Sequence, residues 1–190
     1  MEKKFLVGIT GASGVIYAYY LLKELKNLGI SAEVIITKAG EIVWNHELER
    51  PVEEILNFAE KLYKEDEISS PPASGSSNYS GMIIIPCTMG TLSAIASGSA
   101  RNLLQRAADV MLKEKKPLIL VIRETPFNLI HIKNMEICSK AGAVIFPAMP
   151  GFYHKPKNLE ELIEQFVKRI LQFLGFSPKD LKIWQEIVLE

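Results

Sequence analysis

MIIIPCTMGTLSAIASGSAR, residues 82–101, holds no charged side chain before Arg101, yet it is unsuited to crossing a membrane. Pro86 follows four apolar residues, and Gly90, Ser93, Ser97, Gly98 and Ser99 occupy much of the remainder. The stretch predicts a short buried strand that empties into a Gly/Ser/Thr-rich turn and the start of a helix. Small residues with free backbone N–H groups after a strand are how an α/β protein receives phosphate. The chain opens with a second copy of this device, KFLVGITGASG at residues 4–14. Two such turns, each leaving a strand at its C-terminal end, predict a phosphorylated ligand held in one crevice.

Outward from these turns, apolar runs of strand length alternate with helix-period segments. Strands are expected at residues 5–9, 32–36, 82–85, 118–122 and 143–146, and helices at 15–28, 52–63, 102–113, 128–140 and 159–174. Asn158, with Glu161 three residues on, forms a capping box for the last helix. Strands apolar on both faces, alternating with helices, imply a parallel sheet covered on both sides. The expected fold is α/β: one doubly wound, Rossmann-like domain over residues 1–190, with its core at about 4–175 and a tail at about 176–190. Residues 71–81, PPASGSSNYSG, read as an insertion within that domain, either a mobile lid or a subunit-contact loop. Ligands in such sheets lie outside the strand C-termini, near the point where the strand order reverses. The loops at 10–14, 37–40, 86–91, 123–127 and 147–157 therefore carry the functional weight.

Composition narrows the function class. Lys plus Arg (22) equals Asp plus Glu (22), so no global field recruits nucleic acid or an anionic membrane. Any phosphate recognition must come from local clustering. Zero net charge also suits self-association. Cys87 and Cys138 are far apart and outside any CxxC spacing, which speaks against a disulfide framework or zinc and for a reducing cytoplasm. The N-terminal apolar run is too short for a secretory leader and reads as a first strand. His46, His131 and His154 share no metal-ligand spacing, so no metal site is expected.

Within the loops, Gly8, Gly11 and Gly14 lie three apart, unlike the GxGxxG of dinucleotide folds. Thr37 and Lys38 stand where a nicotinamide enzyme places an acid, so a mononucleotide fits better. Arg106 and Lys113 are seven apart and share one side of a helix; a surface Asp109–Lys113 pair is the structural alternative. Arg123 and Glu124 follow a buried strand directly, where an Arg can fork onto phosphate and a carboxylate can move a proton. Tyr153 and His154 follow the last strand in PAMPGFYHKP (147–156). On the closing helix, 100° stepping puts Arg169 at the edge of the core face and points Lys168 away.

These motifs together resemble the UbiX-type flavin prenyltransferases, within the wider family of flavin-binding, cysteine-decarboxylase-like proteins. TGASG (10–14), PPASGSS (71–77), PCTMGTLSAIASG (86–98), NLLQRAADVMLKE (102–114), RETPF (123–127), IHIKNM (130–135) and PAMPGFYHKP (147–156) carry the resemblance over residues 4 to about 175. It implies transfer of a dimethylallyl group from its monophosphate to reduced FMN without a metal, with phosphate released. The prenylated flavin then serves a UbiD-type partner decarboxylase, in the setting of ubiquinone biosynthesis. By the same resemblance FMN lies against Gly11, Ala12, Ser13, Thr37, Thr88, Met89, Gly90, Thr91 and Arg123. Tyr153, Arg169, Lys113, Arg106 and Ser74 face the prenyl phosphate, Glu124 and Glu47 are the catalytic carboxylates beside Tyr153, and Trp184 matches a tryptophan near the prenyl group. A cytoplasmic homododecamer with sites shared between subunits is also implied. A flavin-dependent decarboxylase and a non-catalytic flavin carrier are the rival readings. Against the first, PAMPGFYH has no Asn after its Met.

Overall fold

The protein's structure, a computed structural model, describes residues 3–184. Its centre is β1 (Lys4–Ile9), whose alternate side chains enter two different cores. Phe5, Val7 and Ile9 point to one face and Leu6 to the other, as strand geometry requires. Around β1 lie β2 (Ser31–Ile36), β3 (Lys61–Lys64), β4 (Gly81–Cys87), β5 (Leu118–Ile122) and β6 (Val144–Ile145). All pair in parallel in the order β3-β2-β1-β4-β5-β6, so the sheet winds outward in both directions from β1 and β4. Pro86 has no N–H for the ladder, and the β4–β5 register shifts between Ile84 and Cys87.

Helices α1 (Ile16–Asn27), α2 (Lys38–Leu48) and α6 (Leu159–Phe173) cover the first face, where Trp44, Phe166 and Leu21 are buried. Helices α3 (Met89–Ala96), α4 (Leu103–Lys113) and α5 (Leu129–Lys140) cover the second. Because every strand is parallel, all strand C-termini share one edge of the sheet, and the loops that follow them meet there. Among the described residues, no helix is long and apolar enough to cross a membrane.

Three local expectations change. Residues 52–63 are not one helix: a six-residue 3-10 helix at Val52–Asn57 buries Val52 and Ile55, and Lys61–Lys64 adds a sixth, edge strand. In a 3-10 helix residues i and i+3 eclipse, so this short segment alone satisfies the apolar i,i+3 spacing that suggested a longer helix. The PPASGSS loop is no free lid; it packs along α4, with Arg106 Nε donating to the Ala73 carbonyl (3.2 Å) and Lys116 Nζ to the Ser77 carbonyl (3.0 Å). On α6 the roles of two neighbours are exchanged. Lys168 is buried and Arg169 exposed, because α6 buries an unusually broad face that includes Gln165, Val167 and Lys168.

Candidate active site at the strand C-termini

Thr10, at the tip of β1, is almost fully buried and stitches the two phosphate-type turns together. Its hydroxyl donates to the Pro86 carbonyl (2.7 Å) and accepts from the Thr88 N–H (3.0 Å). Beyond it, Gly11 approaches α2 so closely that a Cβ would sit 2.5 Å from the Ala39 Cβ. Only glycine fits there without moving the loop. Thr37 caps α2 by accepting from the Gly40 N–H (3.0 Å), and Thr88 caps α3 by accepting from the Thr91 N–H (3.2 Å). Two helix starts therefore face the same edge, each favouring negative charge.

Among the described residues, the N–H groups of Gly11, Ala12, Ser13, Met89 and Gly90 donate to no protein acceptor. Five such donors on adjoining loops suit a phosphate. The next two amides are engaged. Gly14 and Val15 donate to Glu47 Oε2 at 2.8 and 3.2 Å, so a carboxylate from α2 caps α1, whose own N-cap residue Val15 has no side-chain oxygen.

Arg123 and Glu124 leave β5 exposed on this edge, the Arg123 N–H bonded to the Cys87 carbonyl (3.3 Å). Burial lifts the Tyr17 hydroxyl above its ordinary pKa, and the Arg123 guanidinium pulls it partly back. Tyr17 lies in the first turn of α1, so the β5 loop leans over the β1 loop. Tyr153 donates to the Lys182 carbonyl (3.2 Å), and its ring meets Trp184 edge-on at 5.6 Å. His154 beside it is buried and its Nε2 has no partner among the described residues; burial and Lys182 hold its pKa below the usual value. Cys87 is fully buried and its thiol is pushed well up by burial, which removes it as a nucleophile.

The remaining sequence-derived residues lie elsewhere in the same chain. Leu103, at the start of α4, bonds to Glu65 just beyond the C-terminus of β3, so α4 starts at the ligand edge. Lys113 is ten residues further along, about 15 Å down the helix axis, and forms an ion pair with Glu114. Arg106 pairs with Asp109 (2.7 Å), replacing the expected Asp109–Lys113 pair. Ser74 bonds within its own loop, to Ser76 (2.8 Å). Arg169 is likewise about 15 Å from the start of α6 and exposed. One chain thus assembles Gly11, Ala12, Ser13, Thr37, Glu47, Thr88, Met89, Gly90, Thr91, Arg123 and Glu124 at the ligand edge, keeps Arg106 in the first turn of α4 with the Ser74 loop packed against it, and carries Lys113 and Arg169 about 15 Å down its flanks. Four cations around a single intrachain crevice are not what the fold delivers.

A cavity of about 600 Å³ opens at the opposite edge, lined by Lys3, Lys4, Glu33, Tyr79 and Lys116 among others. Its polar groups bond mainly to one another: Glu33 accepts from Lys4 (3.0 Å), Tyr63 (2.9 Å) and Tyr79 (2.5 Å). It is a structural cluster, remote from the loops that could hold a phosphate.

The Flavoprotein family profile matches residues 1–173. The flavin prenyltransferase UbiX of Halalkalibacterium halodurans is 45% identical over 192 residues, 96% of this chain and 93% of that protein. AnUbiX (PadA1), solved in complex with FMN and dimethylallyl pyrophosphate, has a TM-score of 0.94 at 37% identity, covering 97% of this chain and 98% of that one. A dodecameric FMN-dependent UbiX-like decarboxylase from Escherichia coli O157:H7 gives 0.92 at 33% identity, covering 96% and 99%. The chain therefore belongs to the Flavoprotein family, on its UbiX flavin prenyltransferase branch.

Proposed function

We propose that this protein transfers a dimethylallyl group from its phosphate ester to reduced FMN. The observation that carries the reading is the pair of turns pinned together by Thr10, with five unpartnered N–H groups and the Arg123–Glu124 pair on the same edge. These turns receive the FMN phosphate and ribityl chain, with Gly11, Ala12, Ser13 and Thr37 on one side of the flavin and Thr88 to Thr91 and Arg123 on another.

Breaking the allylic C–O bond leaves phosphate with a charge near −2 and an electron-poor allyl group. Fixed cations stabilise that leaving charge, and losing one such donor typically costs on the order of 10² to 10³ in rate. Arg123 is already at the edge. Arg106 and the adjoining Ser74 loop lie nearer the edge, whereas Lys113 and Arg169 reach the prenyl phosphate only if a neighbouring copy presents its flank, so the active unit is a homo-oligomer, a dodecamer as in the E. coli relative. Glu124, exposed beside Arg123, takes the proton that leaves the flavin as the new ring closes. Tyr153 offers its ring face to the allyl group. The product passes to a UbiD-type decarboxylase in the cytoplasm.

A decarboxylase reading is supported by relatives described as decarboxylases, the E. coli protein and a phenylacrylic acid decarboxylase from Aquifex aeolicus. Against it stands Pro150, where cysteine decarboxylases carry Asn after the Met. The test is direct: incubate the protein with reduced FMN and either dimethylallyl monophosphate or the diphosphate present in the AnUbiX complex, then weigh the flavin. A gain of one isoprene unit is expected; no gain with either donor overturns the proposal.

A further inference from the structure

Gln165 is a buried amide on α6 whose two ends both go to backbone. Nε2 donates to the Asp180 carbonyl and Oε1 accepts from the Lys182 N–H, each at 2.9 Å. Asp180 adopts a left-handed conformation, φ 58°, that turns the chain so both groups face the same side chain. Lys182 Nζ adds an ion pair to Glu161 on the same helix (2.9 Å). From this anchored peptide the Lys182 carbonyl accepts from the Tyr153 hydroxyl (3.2 Å), and Trp184 lies edge-on to the Tyr153 ring.

We propose that Gln165 is a positioning residue for prenyl-donor binding: by clamping the 180–182 peptide to α6 it fixes the carbonyl and the indole that hold Tyr153. A tyrosine has one hydroxyl proton. With that proton given to Lys182, the ring of Tyr153 is biased toward one position and serves as a wall for the isoprenoid. The inference rests on the assignment of Tyr153 to the prenyl side. Exposed Tyr153 is otherwise tethered only by the loop at 147–157, so the clamp supplies the order the site needs before the donor arrives.

Gln165→Met keeps the length and helix preference while removing both hydrogen bonds. In the full-length, FMN-loaded protein, the KM for dimethylallyl monophosphate should rise about three- to tenfold, the range of one or two lost hydrogen bonds, with kcat within about twofold. Unchanged FMN affinity reports an intact fold. In a Trp44→Phe background, which leaves Trp184 as the single tryptophan, acrylamide quenching without substrate should rise, by less than about twofold because Trp184 is already 58% exposed. Tyr153→Phe releases the same peptide from the other end and should raise quenching too. Quenching unchanged by Gln165→Met overturns the clamp, whatever the activity; quenching that rises with KM unchanged overturns its role in donor binding. If the parent protein transfers no prenyl group, the functional reading has failed, while the quenching data still decide the clamp.

Discussion

Glu47 reaches from α2 to cap α1, so one carboxylate has both a structural and a chemical claim on it. The two are separable. Glu47→Ala removes the acceptor and should destabilise the protein by about 0.5–2 kcal/mol, measured by urea unfolding. Glu47→Gln keeps an oxygen toward Gly14 and Val15 and should retain most of that stability. If Glu47→Gln nonetheless loses turnover, its charge acts in the reaction; full turnover leaves it as a cap alone. Glu124 has no such structural duty: among the described residues its side chain accepts only from the adjacent Thr125 N–H (3.0 Å). Glu124→Gln should therefore lower prenyl transfer by about 10² to 10⁴, the range for a lost general acid–base group, with FMN affinity retained. Unimpaired turnover would remove Glu124 from the mechanism and revive the carrier reading.

Between elements, Thr10 is the sharpest test of how the site is held. Thr10→Val preserves shape but orphans the Pro86 carbonyl and Thr88 N–H, and should destabilise by about 1–3 kcal/mol in urea titrations while weakening FMN binding. A loss of stability without weaker FMN binding would mean the two turns do not share the ligand. At the opposite edge, burial alone would raise Glu33, but hydrogen bonds from Tyr79, Lys4 and Tyr63 outweigh it and hold the carboxyl below its ordinary 4.5. A depressed carboxyl stabilises the fold above its unfolded value and loses that contribution as pH falls through the folded one. Glu33→Gln should flatten the acid limb of a stability–pH profile below about pH 4.5; an unchanged limb would show that other carboxylates govern it.

The same scale shows what the sequence could reveal. β1 and β4 were legible because burial on both faces makes an unbroken apolar run, and the turns after them because Gly, Ser and Thr have few other reasons to cluster. α2 was hidden: only Gly40 and Trp44 of its eleven residues are buried, too narrow a stripe to register as periodic. β3 is a four-residue edge strand with one buried side chain, Tyr63. Thr10 could not be singled out, since its partners lie 76 and 78 residues away and meet it only once β1 pairs with β4. Gln165 was equally silent, because a polar residue inside an apolar stripe has meaning only when the segment it binds is in place.

At the scale of the whole molecule, the chain has an apolar surface that its own fold does not cover. Cys138 is the single buried residue of α5, while Leu129, Ile130 and Ile132 are 65%, 67% and 53% exposed, and Met149 and Phe152 on the last loop are 67% and 69% exposed. Isolated exposed aliphatics are ordinary, but a cluster beside the ligand edge marks an interaction surface. On the proposed function, Lys113 and Arg169, held on the flanks of one chain, serve the crevice of a second copy. On that reading assembly and catalysis are one property. Ile130→Lys should break the oligomer on sedimentation analysis and lower prenyl transfer by 10² or more, the effect of losing a preorganised donor. The isolated chain should keep its secondary structure by circular dichroism, since Ile130 contributes little to the intrachain core. An assembly that survives the substitution would move the interface off α5. Dissociated subunits that retain full turnover would show that each chain builds a complete site alone.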